Sequence, residues 1–103
     1  MSANKIVSSQ LIKTIKNSGK NIKLKYATKT EAWDRTYLAQ SVQEDFGKAV
    51  EKADVPAGAT TAILARMENS EKEHPSSSDS KNHFTTVYED DSGNHIATKH
   101  VYP

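Results

Sequence analysis

Apolar residues change their period several times along this chain. Val7, Leu11 and Ile15 recur at every fourth position, and Ile12 joins them at a spacing of three, as on one face of a helix. Ser2 or Asn4 stands where an N-cap is wanted, and Asn17-Ser18-Gly19 offers a left-handed stop. The pattern predicts a helix over about residues 5–17. Its β-branched residues are mediocre helix formers, so it would depend on packing. From Asn21 the period falls to two. Ile22, Leu24 and Tyr26 alternate with Lys23 and Lys25, which predicts a strand with one buried and one wet face.

Residues 30–40 fit two descriptions. Trp33 and Tyr37 stand on a helical spacing that Leu38, Val42, Phe46, Val50 and Ala53 continue, yet Arg35 to Ala39 also reads as a strand returning beside 21–27. The stretch from Val42 to Ala53 predicts a second helix, with Phe46 and Val50 inward. Gly47 within it costs about 1 kcal/mol against Ala, so it marks either a close contact or a weak point. Asp54-Val55-Pro56-Ala57-Gly58 then ends the helix. A strand follows over 60–68, with Thr61, Ile63, Ala65 and Met67 on one side. The polar run at 69–82 is long for a compact domain and predicts a mobile loop. Strands over 83–90 and 95–102 flank Asp91-Ser92-Gly93, a three-residue loop with glycine in the left-handed position. That loop pairs Asp90 with Asn94 and Tyr88 with Ile96, and places Phe84, Tyr88, Ile96 and Tyr102 on one face.

The order α-β-α-β-β-β predicts an α+β fold: a small two-layer sandwich, a mostly antiparallel four-stranded sheet with two helices, in one domain over 1–103. Its core would be Val7, Leu11, Ile15, Ile22, Leu24, Tyr26, Phe46, Val50, Ile63, Phe84, Tyr88 and Ile96.

Composition narrows the chemistry. The 103 residues include no cysteine, which excludes disulfides, thiolate metal sites and a cysteine nucleophile. No apolar run approaches the length of a membrane span, and the first residues lack the apolar stretch of a signal peptide. The expectation is a cytoplasmic protein, or one secreted without a visible signal peptide or present as a mature secreted form. Net charge is +1, but it is unevenly divided. Residues 1–30 carry seven lysines and no acid, and the remainder carries a charge of −6. Lys13, Lys16 and Lys20 with Lys23 and Lys25 would form a cationic patch for phosphates or a nucleic-acid backbone. Lysines alone give point charges without arginine's bidentate fork, so such a patch would not read bases. The same charges also fit a solvated face, or a homodimer in which basic and acidic parts meet.

The histidines do not converge. His95 and His100, five apart, would point to opposite faces, and His83 and His95 share a face roughly 20 Å apart at ~3.3 Å per residue. Ser76-Ser77-Ser78 and Ser80 lie in a polar run that cannot hold a nucleophile, and Glu89-Asp90-Asp91 reads as turn chemistry. Neither a Gly-rich phosphate loop nor a calcium-loop spacing occurs. The residues therefore predict no catalytic set, no metal and no cofactor. The first reading is a non-catalytic module that binds a protein or carbohydrate through Trp33, Tyr37, Ser92 and Asn94, with Trp33 as the aromatic anchor. The second is an anion- or nucleic-acid-binding protein that uses Lys13, Lys16, Lys20, Lys23 and Lys25.

Overall fold

The structure is a computed structural model and describes residues 5–31, 34, 37–69 and 82–102. It contains one five-stranded sheet and one helix, in the order β1 (Ile6–Asn17), β2 (Lys20–Thr30), α1 (Gln40–Glu51), β3 (Thr61–Asn69), β4 (Asn82–Glu89) and β5 (His95–Val101). Strands follow one another across the sheet in chain order. Every neighbouring pair is antiparallel except β2 and β3, which run parallel because α1 carries the chain back between them. The fold is α+β, as expected, but the sheet is mixed, has five strands rather than four, and carries one described helix rather than two. None of the described helices is long and apolar enough to cross a membrane.

The missing helix is β1. Its stop signal is real but serves a hairpin: Ser18 (φ 53°) and Gly19 (φ 82°) form a two-residue loop between paired Asn17 and Lys20. Two successive positive φ values belong to the type I′ turn, which needs the same left-handed glycine that ends a helix. The fourfold spacing of Val7, Leu11 and Ile15 does not mark a face. Register shifts between Ile6 and Ser8, Ser8 and Ser9, and Leu11 and Lys13 reset the alternation. Ile15 is buried, whereas Val7 and Leu11 are 56% and 53% exposed, so two of the expected core residues are not core.

Helix α1 starts two residues before the expected Val42 and ends two before Ala53. No side chain caps it at Ala39; instead Gln43 Nε2 reaches back and donates to the Leu38 carbonyl at 2.7 Å. Phe46, Gly47, Ala49 and Val50 face the sheet, and the Phe46 ring meets Phe84 edge-on at 5.6 Å. Ile22, Leu24, Tyr26, Ala62, Leu64, Tyr88 and Val101 complete this core. Gly47 allows a close approach: a Cβ there would meet Leu24 Cδ1 at 3.4 Å and Lys13 Cε at 3.5 Å.

The sheet curls around this helix. Asn17 at the end of β1 donates from Nδ2 to the carbonyls of Val50, Glu51 and Ala53 at 2.8, 3.0 and 2.9 Å. Lys99 on the other edge strand donates to the Asp54 carbonyl at 3.3 Å. Both edges of a five-stranded sheet thus reach the same helix end, which a flat sheet would not permit. Bulges in β1, β3 and β5 supply the bend. The central strand β3 is buried from Thr61 to Ala65, so its apolar run faces both sides. Ile63, expected in the helix-facing core, is buried on the convex face in register with Lys25 and Val87.

Of residues 30–40, part lies outside the described residues. β2 continues to Thr30, an isolated bridge joins Lys29 to Asp34, and 37–39 lead irregularly into α1. The polar run at 69–82 begins and ends within strands β3 and β4. Its residues 70–81, with the serines and His74, lie outside the described residues.

Candidate functional site

The hairpin β1–β2 contains six lysines and no acidic residue. Strand alternation decides where they go. Ile22, Leu24 and Tyr26 enter the concave core, so Lys23, Lys25 and Lys29 take the convex face. Lys16 joins them from β1, paired with Asn21 on the same face, whereas Lys20, exposed beside the turn, pairs with Asn17 and belongs to the concave side. Their cross-strand partners are uncharged: Lys23 lies opposite Thr14, Lys25 opposite Leu11 and Lys29 opposite Ser8. Lys23 and Lys25 also neighbour Thr61 and Ile63 of β3. Lys13, three residues before Lys16 in unbroken pairing, takes the other face. It pairs with Leu24 and lies over Gly47, beside Gln40, Gln43 and Glu44 of the helix. Three of the five expected lysines, Lys16, Lys23 and Lys25, therefore share the convex face with Lys29, and Lys13 and Lys20 belong to the other side.

Beside Lys23 the convex face dips into a polar groove of about 400 Å³ lined by Thr14, Asn21, Lys23, Thr60, Thr61 and Asp91. Two ladder bonds frame it: Lys23 N–H donates to the Thr60 carbonyl and Thr60 N–H to the Glu89 carbonyl, both at 2.9 Å. Asp91 belongs to the β4–β5 turn, which forms as expected, with Asp90 N–H donating to the Asn94 carbonyl at 3.0 Å and Gly93 at φ 82°. Asp90 organises that turn. Its Oδ1 accepts from the Ser92 and Asn94 backbone N–H groups at 2.9 Å each, and its Oδ2 from Asn94 Nδ2 at 3.3 Å. The bond from the Asn94 backbone, first among these donors, holds the Asp90 carboxyl below its usual range.

These contacts bear on the expected loop site. Ser92 and Asn94 are exposed, but their backbone donors and the Asn94 amide serve Asp90. Tyr37 is 66% exposed and lies just before α1. The Ser92–Asn94 turn joins β4 to β5, so the two parts of that expected site lie on different connections of the fold. Trp33 lies outside the described residues.

The histidines are also rearranged by one bulge. Tyr88 pairs with Ala97 rather than Ile96, and Glu89 pairs with His95, so Ile96 is the extra residue. His95 and His100 consequently share the convex face instead of opposing one another. His83, fully buried, has its ring 4.8 Å from His100 and 5.4 Å from Tyr102. Tyr102 therefore joins the imidazoles and not the Phe84–Tyr88 face. His95 Nε2 and Thr98 Oγ1 are 2.8 Å apart. The His83–His100 neighbours follow from pairing Phe84 with Val101, which no spacing within one strand reveals. Comparison with protein-family models, with curated proteins and with solved structures finds no match.

Proposed function

We propose that the protein is a binding module for a polyanion, and that its ligand is the phosphate backbone of a nucleic acid held on the convex face of the β1–β2 hairpin. The observation that carries this reading is the placement of Lys16, Lys23, Lys25 and Lys29 on one sheet face, with no acidic partner across the hairpin. Lys23 and Lys25, two residues apart along a strand, set ammonium groups at about 7 Å, close to the spacing of neighbouring phosphates in an extended strand. Asn21, Thr14 and Thr61 add neutral polar groups beside them, and Asp91 bounds the track at the turn. Ammonium groups position a backbone without reading base edges, so binding is sequence-independent. Such a face holds an anion; it moves no proton and forms no bond.

The test is fluorescence anisotropy of a labelled single-stranded oligonucleotide over a range of salt. Four neutralised phosphates give a log–log slope of about −3, and each lysine lost from Lys16, Lys23 or Lys25 lowers its magnitude by about 0.7. Lys13→Ala, on the helix side, leaves the slope unchanged. Absence of binding at low salt, or a triple alanine variant that binds as well as the parent chain, refutes the reading.

A further inference from the structure

An open sheet exposes two edges, and here they are unlike. β1 is interrupted by three register shifts and carries Lys13 and Lys16, features that discourage a further strand from pairing. β5 has a single irregularity at its start. From Ala97 to Val101 it pairs without interruption with β4, and β4 is its only neighbour among the described strands. Its outward edge is a regular row of backbone donors and acceptors. Alongside it, between β5 and the last turn of α1, runs a groove of about 310 Å³ lined by Ala49, Lys52, Ala53, Lys99, Val101 and Tyr102, with Asp54 and His100 at its margins.

The chemistry of the walls selects an occupant. Ala49 and Ala53 present only methyl groups on the helix side, which leaves width for a second backbone. Buried Val101 and the following Tyr102 line its strand side. The lining holds two lysines, Lys52 just after the helix and Lys99 on the strand, against one acid, Asp54. Lys99 already touches the Asp54 backbone carbonyl. β5 itself contains Lys99, His95 and His100 and no acid. A second copy of the same edge brings cationic side chains and no acid to Lys99, so charge does not favour self-pairing.

We infer that β5 and α1 form a docking groove for an extended, carboxylate-bearing peptide that adds to the sheet as a sixth strand. Main-chain hydrogen bonds to the edge of 97–101 supply affinity. Alternate side chains of the peptide point between α1 and β5, where apolar residues meet Ala49, Ala53 and Val101, and acidic residues pair with Lys52 and Lys99. The groove is on the concave side and the far edge from the lysine hairpin, so this inference stands apart from the polyanion reading.

The experiment selects a displayed library of random eight-residue peptides on the immobilised full chain, then follows the enriched peptides by NMR on the isotope-labelled protein. The expected result is enrichment of peptides with acidic residues alternating with β-branched ones, and chemical-shift changes at the amides of 97–101. Binding falls at least about tenfold in the Lys52→Glu/Lys99→Glu protein, and a peptide N-methylated at alternate positions does not bind. A failure to enrich any peptide overturns the inference, as does enrichment of basic peptides. Shifts confined to β1 and β2, binding that survives both charge reversals, or concentration-dependent shifts at 97–101 without peptide, which signal self-pairing, also overturn it. None of these outcomes changes the oligonucleotide salt slope, so the two readings fail separately.

Discussion

Asn17 ties the hairpin to the helix, and replacing it tests how the curled sheet is held. Its Nδ2 carries two hydrogens and lies within 3.0 Å of three carbonyl oxygens, those of Val50, Glu51 and Ala53. These belong to the end of α1, whose last carbonyls have no partner within the helix. Lys48 is the only basic residue in the last turn, and Asn17 itself is buried. Asn17→Ala removes both hydrogens at once. A net hydrogen bond contributes about 1 kcal/mol, and a buried group left without a partner costs about 1–3 kcal/mol. The Val50 carbonyl keeps the Ala53 N–H at 3.2 Å, and water can reach the two part-buried carbonyls, so the expected loss is about 1.5 kcal/mol. For a domain of this size that lowers Tm by about 10 °C. Asn17→Asp keeps the shape but points a carboxylate at carbonyl oxygens. It should cost more than the alanine change at pH 7 and recover as the pH falls and the carboxyl takes a proton. Urea and thermal unfolding followed by circular dichroism measure both variants. A loss below about 0.5 kcal/mol for Asn17→Ala, or an Asn17→Asp protein as stable as the parent at pH 7, refutes the proposed capping role.

Two further substitutions probe the core. Tyr88 is fully buried, and its hydroxyl has no hydrogen-bond partner among the described residues. Tyr88→Phe should therefore raise stability by about 1 kcal/mol in urea unfolding, and a loss of that size would show a bond to the hydroxyl. Burial first, and the Asp54 charge second, push the Tyr88 phenol from 10.0 up to about 12. Above pH 10 the unfolded chain ionises while the folded chain stays neutral, so this group's stabilisation is lost between pH 10 and about 12, at about 1.4 kcal/mol per pH unit. The phenylalanine variant should lack that component of the decline. Gly47→Ala gains up to about 1 kcal/mol of helix propensity, and its new methyl meets only the flexible ends of Leu24 and Lys13. It should stabilise by about 0.5 kcal/mol, whereas Gly47→Leu should destabilise by more than 2 kcal/mol through overpacking; destabilisation by alanine would mean that the Leu24 side chain cannot yield.

The residues that were legible in sequence were those whose local pattern agrees with their final neighbours. Lys23 and Lys25 alternate with Ile22 and Leu24, and that alternation survives unchanged into β2. Asp90, Gly93 and Asn94 form their turn from local chemistry alone. β1 was illegible because its signals are shared: glycine in the left-handed region ends helices and closes type I′ hairpins alike. The bulge at Leu11/Lys13 also broke the twofold pattern that would have distinguished them. Ile6, Val7, Ile12, Thr14 and Ile15 did carry strand preference, and weight given to β-branching over spacing would have found it. The parallel pairing of β2 with β3 is set by the return path of α1 and has no local signature.

The same bulges have opposite consequences for the two faces of the molecule. A one-residue slip moves every later side chain across a strand. In β1 it puts Leu11 on the convex face opposite Lys25, while Lys13 faces the helix with its stem over Gly47. In β5 the slip at Ile96 puts His95 and His100 on one face and sends the Ile96 side chain toward Gly58, where its Cδ1 would lie 3.7 Å from an added Cβ. In a sheet this curled, bulges therefore do two jobs with one extra residue: they bend the strand around α1 and decide which face receives the charges. A composition-level count of lysines cannot anticipate which of them act together, because Lys13 and Lys16, three apart in unbroken pairing with Leu24 and Asn21, take opposite faces. Lys16, Lys23 and Lys25 form a set, and Lys13 does not, for a reason that lies in backbone pairing rather than in charge.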